Sequence, residues 1–432
     1  MRKRRIMITG TGAVSAAGIG TEAMWQSVLQ GTVNQQSRTY RLGDGGVVSY
    51  PVYAMPELDL RDLVSASDYG WLEEEGLTKD PDFVLLAYAA SLALEQAGLR
   101  EEDRLQTALV IGHENLGVNA LIDRILTSPA YAARRSPMAG SSPWQDYEDY
   151  SASFYRLQTF PYLFYIAKLL GIRGISFTVN NACATGLYAL ELGAQLIRGG
   201  SAERVLVVCS DYAHVTEHAW LQQKGFSSAA QRLRPFDADR DGSLLGDGAA
   251  AVVIEASAVA SARLVKPWAV YCGASLKQDN WHMSLPDYPS HTYSDVMRRA
   301  STLGSRKPIE LLIPHGTGNQ LWDRYEMEEI ARAFPKQPLV TAFKGSIGHT
   351  LGANALLETI LILHCMRDGL VPPIVNCSRP DVRMPFPVAA AMKELPVSRA
   401  MKAVPAYGGF QAASVFESVP EGGRRYAGTV EL

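Results

Sequence analysis

The chain is 432 residues long, enough for two domains or one duplicated architecture around a large core. Its 41 Lys and Arg against 44 Asp and Glu leave a net charge of −3, which does not suggest a nucleic-acid binder. Five cysteines (Cys183, Cys209, Cys272, Cys365 and Cys377), odd in number and without Cys-x-x-Cys spacing, indicate neither a disulfide framework nor a zinc site and fit a reducing cytoplasm.

The basic start Arg2-Lys-Arg-Arg5 precedes a short apolar run, which superficially has the form of a signal peptide. That run is interrupted by Thr9, Gly10, Thr11 and Gly12, so it reads as a buried strand entering a Gly-rich turn. The Gly10-Thr-Gly12-Ala-Val-Ser15 stretch lacks the third glycine of a dinucleotide fingerprint, and Gly18 and Gly20 fall where a helix would have to run. A short helix is expected over residues 22–29 and a strong one over 82–97, ending at Gly98, with irregular polar chain at 32–80 between them. Residues 108–112 form a core strand. Residues 127–165, rich in Ser, Pro and aromatics without clean periodicity, read as an inserted loop region. No apolar run of about 18 residues exists to span a membrane.

Residues 174–179 read as a buried strand, and residues 187–198 carry apolar side chains at helical spacing before Gly199-Gly200. Cys183 falls at the corner between them. A thiol there is either a small buried apolar group or a nucleophile; a helix N-terminus favours thiolate, and Ala182, Ala184, Thr185 and Gly186 leave room for a substrate. Residues 204–209 form the next buried strand, completing a strand, helix, strand unit.

The second half opens with strand candidates at 250–255 and 262–271. Its strand at 309–314 ends at His315. A strand at 338–343, a corner at 344–350 and a helix at 353–366, stopped before Gly369, repeat the layout of residues 174–200. Two such units suggest two halves packed face to face, with Cys183, His315 and the Lys344–His349 corner all at carboxyl ends of strands, where open α/β sheets bind ligands.

The patterns around these corners are long: Asn181-Ala-Cys183-Ala-Thr-Gly186; His315-Gly-Thr317-Gly-Asn319, then Asp323 and Glu326; and Lys344-Gly-Ser-Ile-Gly-His349, then Glu358. With Ile8 to Ser15, Arg234-Pro-Phe-Asp-Ala-Asp-Arg-Asp-Gly242, Gly246-Asp-Gly248 and Tyr407-Gly-Gly409, they resemble the β-ketoacyl-acyl-carrier-protein synthases over nearly the whole chain and in family order. The resemblance implies an α/β, thiolase-like fold with two similar βαβ-rich halves in five layers, α-β-α-β-α. Residues 1–260 would carry the nucleophile and 261–432 both histidines, in a homodimer or a heterodimer with a related subunit.

It also implies roles. Cys183 would take an acyl chain from a carrier-protein thioester, and neutral His315 and His349 would stabilise the enolate left when malonyl-carrier protein loses carbon dioxide. The backbone N–H groups of Cys183 and Tyr407 would form the oxyanion hole. Lys344, partnered by Glu358, would set local charge, and the loop carrying Thr317 and Asn319 would bind the phosphopantetheine arm. That arm belongs to the acyl carrier protein; the chain itself would bind no cofactor and no metal, and neither nucleic acid nor membrane is expected as a partner.

Three departures from the family pattern stand out: Asn319 replaces a second Thr, Ser243 replaces a bulky residue, and Ala406-Tyr-Gly-Gly-Phe-Gln411 replaces Gly-Phe-Gly-Gly-Thr-Asn. They touch gating and pocket surfaces rather than catalytic groups, and suggest a specialised pathway such as polyketide or polyene assembly. A chain ending at residue 432 is expected to be a discrete synthase without fused carrier or acyltransferase domains. One alternative is a non-catalytic chain-length-determining subunit, which would not require Cys183, His315 and His349. The other is a coenzyme A thiolase, which would use a second cysteine in a C-terminal segment that here has none after Cys377.

Overall fold

The computed structural model describes residues 4–41, 46–126 and 158–419. Strand β1 (Ile6–Ser15) is buried along its whole length because it pairs antiparallel with β5 (Gly248–Ala256) and, through Ile6–Ile8, with β6 (Ala269–Gln278). The turn expected at Gly10 and Gly12 is absent. Helix α1 (Pro81–Gln96) presses on the strand there: an added Cβ at Gly10 would lie 2.4 Å from the Ala93 carbonyl oxygen, and at Gly12 2.2 Å from that of Ala89. These glycines serve close helix–strand approach.

Five strands of the first half, β1, β2 (Ala108–Gly112), β3 (Ser176–Val179), β4 (Arg204–Asp211) and β5, are ordered β1-β5-β4-β2-β3. The second half, β6, β7 (Leu311–Ile313), β8 (Leu339–Val340), β9 (Arg399–Pro405) and β10 (Phe410–Glu417), is ordered β6-β10-β9-β7-β8. Numbered within each half, both read first, fifth, fourth, second, third. The duplication expected from two similar corners is therefore a duplication of topology.

Helices α3 (Thr185–Gly199) and α7 (Asn354–Asp368) follow the third strand of each half and lie between the sheets. Helix α1 and α2 (Phe160–Leu170) cover the first sheet, α4 (Val215–Gln223) follows β4, and α5 (Thr292–Ala300) and α6 (Gln320–Ala333) pack in the apolar core on the outer side of the second. This is the expected α-β-α-β-α layering. It explains strands that are apolar at every position: along β5, Ala249, Ala251 and Val253 enter the outer core, whereas Ala250, Val252 and Ile254 enter the central one.

Several boundaries differ from expectation. Residues 32–80 contain a hairpin (Gln35–Arg41 with Val47–Tyr53) and a helix (Ala66–Glu74) whose N-cap, Ser65, accepts from Asp68 N. The strand expected at 262–271 starts only at Ala269, after a short helix (Ser257–Ala262), and continues to Gln278. Most of the region expected as a loop at 127–165 lies outside the described residues, but Phe160 onward is α2, with Tyr162, Ile166 and Leu170 buried four residues apart. Strand β3 is not buried as expected: no strand pairs with its outer edge among the described residues, and Phe177 is 39% exposed. No described helix is long and apolar enough to cross a membrane.

Candidate active site

Cys183 sits where β3 turns into α3. Asn180 Nδ2 donates to the Glu114 carbonyl (2.6 Å), Ala182 N donates to Asn180 Oδ1 (3.2 Å), and Asn181 N donates to Thr185 Oγ1 (2.8 Å). These bonds hold a sharp elbow in which Ala182 has φ 49°, a left-handed conformation that a small side chain tolerates better than a bulky one. Gly186 lets α3 approach α7, since an added Cβ would lie 2.8 Å from Leu356 N.

The other corners converge on this elbow. His349 Nε2 lies 3.5 Å from Cys183 Sγ, the two imidazole centroids of His315 and His349 are 5.0 Å apart, and one ligand-type atom from each of the three residues falls within 4.8 Å of the others. Leu351 N donates to His349 Nδ1 (3.0 Å). A nitrogen that accepts carries no proton in the neutral ring, so the proton of His349 sits on Nε2 and points at the thiol side of the cavity. Both rings are held well below the ordinary histidine pKa by burial, with the Lys344 ammonium as the next cause. Both rings are therefore uncharged near neutral pH.

Beneath the histidines lies a buried charge cluster. Lys344 Nζ is 3.2 Å from Glu358 Oε1 and donates to the His315 carbonyl, so the expected Lys344–Glu358 pair is present. Lys402, on β9, shares that carboxylate at 2.7 Å and donates to the Pro314 carbonyl (2.8 Å). Burial lowers Lys402 to about 8 against the pull of Glu358. The sequence reading missed Lys402, although a lysine inside the otherwise apolar run Ala400–Pro405 was the available signal.

Asp323 and Glu326 build the His315 loop. The carboxylate of Glu326 accepts from His315 N (2.8 Å) and Gly316 N (2.6 Å), and Asp323 accepts from Thr317 N (2.9 Å), Gly318 N (3.1 Å) and Phe236 N (2.8 Å). The loop can therefore turn through Gly316 (φ 53°) and Gly318 (φ 74°) without orphaned amides. Asn319, besides facing the cavity, caps α6 by accepting from Leu321 N (3.0 Å) and Trp322 N (3.2 Å).

A cavity of about 350 Å³ opens on Cys183, His315 and His349, and Thr317, Asn319 and Tyr407 are on its wall. The Tyr407 ring packs against Trp220 (5.4 Å between centroids) and Trp322 (5.7 Å). One expectation needs correction. Cys183 is 5% exposed, and burial, followed by the nearby Glu114 carboxyl, pushes its thiol well above the ordinary value against the opposing pull of Lys344. Placement before a helix does not by itself make this a thiolate. Glu114, invisible to motif reading, is a second residue that only the fold brings to the site.

Two family models match: "Beta-ketoacyl synthase, N-terminal domain" over residues 3–260 and "Beta-ketoacyl synthase, C-terminal domain" over residues 268–378. Among curated proteins, a 3-oxoacyl-[acyl-carrier-protein] synthase 2 of Vibrio cholerae is 28% identical over 407 residues, covering 88% of this chain and 90% of that protein. Nodulation protein E of Rhizobium meliloti is 28% identical over 434 residues, covering 96% of this chain and all (100%) of that protein. Among solved structures, the ishigamide ketosynthase/chain length factor aligns with a TM-score of 0.81 at 23% identity, covering 97% of this chain and 100% of that one. A type II PKS acyl-carrier protein in complex with its ketosynthase bound to the hexaketide aligns with a TM-score of 0.79 at 18% identity, covering 97% and 100%.

Proposed function

Because this chain belongs to the β-ketoacyl synthase family, we propose that it is an elongating β-ketoacyl-[acyl-carrier-protein] synthase, an acyltransferase that condenses a Cys183-bound acyl chain with malonyl-carrier protein. The observation that carries this reading is the convergence of one thiol and two neutral imidazoles on one cavity, with the Nε2 proton of His349 fixed by the Leu351 amide.

The Cys183 sulfur attacks an acyl thioester of the carrier protein, the new S–C bond forming as the carrier's S–C bond breaks and the thiol proton passing to the departing sulfur, which gives acyl-Cys183 and the carrier thiol. Malonyl-carrier protein then enters, its phosphopantetheine arm held along the Thr317 and Asn319 wall. Scission of the malonyl C–CO₂ bond leaves an enolate whose oxygen accepts hydrogen bonds from His315 and His349. Its carbon attacks the acyl carbonyl, the backbone N–H groups of Cys183 and Tyr407 bind the tetrahedral oxyanion, and collapse breaks the C–S bond and returns the sulfur. Burial, with Lys344 and Lys402 around Glu358, keeps both rings from taking a proton. The halves 1–260 and 261–432 supply the nucleophile and the histidines respectively. We place the enzyme in the cytoplasm, as a homodimer or a heterodimer with a related subunit, acting on carrier-protein substrates of fatty-acid, polyketide or polyene type. The chain-length-determining and thiolase alternatives are not favoured, since the complete Cys-His-His set is in place.

The test separates thiol from imidazoles. His315→Ala and His349→Ala should still accept an acyl group on Cys183 but release carbon dioxide from malonyl-carrier protein slower by two to three orders of magnitude, roughly 3–4 kcal/mol for one lost donor. Decarboxylation at the wild-type rate in either variant would remove that residue from the mechanism.

A further inference from the structure

Glu114 is the group in the cavity that the mechanism leaves without a task. It lies just past β2, after His113 and beside the Cys183 elbow, and its backbone is pinned from two sides: its N–H donates to Asp211 Oδ2 (3.3 Å) and its carbonyl accepts from Asn180 Nδ2 (2.6 Å). Its side chain runs past Gly352, where an added Cβ would lie 3.3 Å from Glu114 Cγ, and emerges on the cavity wall with Cys183 and His349. Oε1 is sealed from solvent and has no hydrogen-bond partner among the described residues.

The neighbouring acid behaves differently. Glu217, also on the wall, has Oε1 filled by Asn115 Nδ2 (3.0 Å) and Asn119 Nδ2 (3.2 Å), and Oε2 filled by His214 N (3.1 Å). Glu217 is thus part of the scaffold, whereas Glu114, on the wall beside the thiol and interacting with it, keeps one carboxyl oxygen without a partner among the described residues. Burial and the Asp211 carboxyl raise Glu114 to about 8, with the adjacent His113 pulling the other way, so near neutral pH it holds a proton. A protonated carboxyl both donates and accepts.

We propose that Glu114 is a subsite for an oxygen borne by the acyl chain close to its thioester, a β-keto or β-hydroxy oxygen, and that it selects such oxygenated chains over saturated ones. This rests on the ketosynthase reading above. Glu114 interacts with the Cys183 thiol itself, so the acyl atoms nearest the thioester are the ones placed beside it, which is why the selected oxygen lies near the thioester. A plain saturated chain would leave the carboxyl unpaired, and discrimination against a ligand lacking the required polar atom is strong where the site's own group is buried. The reaction supplying the substrate would then be one that leaves the β-oxygen in place.

The experiment is a competition. Wild-type protein receives equal amounts of two acyl-carrier donors of matched length, one saturated and one β-hydroxylated, and the acyl groups on Cys183 are counted by intact-protein mass spectrometry. The oxygenated chain should predominate at least tenfold in wild type, remain preferred in Glu114→Gln, which keeps a donor, and lose that advantage in Glu114→Leu and Glu114→Ala. Equal loading by wild type overturns the proposal without recourse to any variant. An undiminished preference in whichever of the Leu and Ala variants folds, judged by thermal melting, overturns it as well. Absence of any acyl-Cys183 from either donor overturns the ketosynthase reading, and this inference with it.

Discussion

His349 shows how a single backbone bond sets chemistry. Because Nδ1 is occupied by the Leu351 amide, the ring is a donor toward the cavity, and burial with Lys344 and Lys402 nearby keeps both histidines neutral. The sign of the pH effect follows. An imidazole with the ordinary pKa of about 6.5 would lose half its neutral form there; these rings, held lower, should add no loss of malonyl-carrier protein decarboxylation between pH 7 and pH 6, below the range near 8 where Lys402 and Glu114 take up their protons. A titration midpoint near 6.5 would contradict the electrostatic account. Through these two rings alone folding stability falls as pH drops below about 6.5, since the unfolded state then takes up protons that they refuse, whereas Asp211 and Glu326, raised by burial to about 7, contribute in the opposite sense. Motif spacing made Cys183, His315, His349, Lys344 and Glu358 legible. It did not reveal Glu114, which lies past a strand end in no motif of its own, and it passed over Lys402, whose one signal was a lysine inside the apolar run Ala400–Pro405.

At the level of elements, long periodic stretches were readable and the exceptions have physical causes. The boundaries of β2 follow directly from five buried apolar residues. The β1 glycines were misread as a turn because local sequence does not show that a helix lies 80 residues away, waiting to pack on them. Gly12→Ala should accordingly destabilise the fold by about 1–3 kcal/mol or more by overpacking, since a methyl 2.2 Å from the Ala89 carbonyl oxygen must displace backbone. Chemical denaturation measures this directly, and a midpoint within error of wild type would mean that the helix has room to retreat. Strand β3 was misjudged for the opposite reason: period alone marks it apolar, while burial depends on whether something covers its outer edge.

That edge is where the whole molecule bears on function. Phe177 on β3, together with Ile175 and, at the start of α2, Phe160 and Phe164, leaves large apolar side chains exposed beside a strand with a free edge among the described residues. Such a face suits pairing with a second ketosynthase-like chain. If a second chain pairs here, Phe177→Asp should lower the mass seen by sedimentation velocity, and an unchanged mass would mean that this face holds no partner chain. The twofold strand order also accounts for the site's location: two copies of one layout, facing each other across α3 and α7, bring a thiol from one half to two histidines from the other. That geometric consequence was readable only in outline, from the repeated strand-corner-helix pattern.

The central claim is that Cys183 is the acyl acceptor of a decarboxylative condensation. Its most direct test is to incubate the protein with acyl- and malonyl-carrier protein and follow both Cys183 and the carrier by mass spectrometry. The account predicts an acyl adduct on Cys183 that disappears when malonyl-carrier protein is added, with a 3-oxoacyl chain two carbons longer appearing on the carrier, and neither species in Cys183→Ala. A wild-type level of elongated product from Cys183→Ala would contradict it.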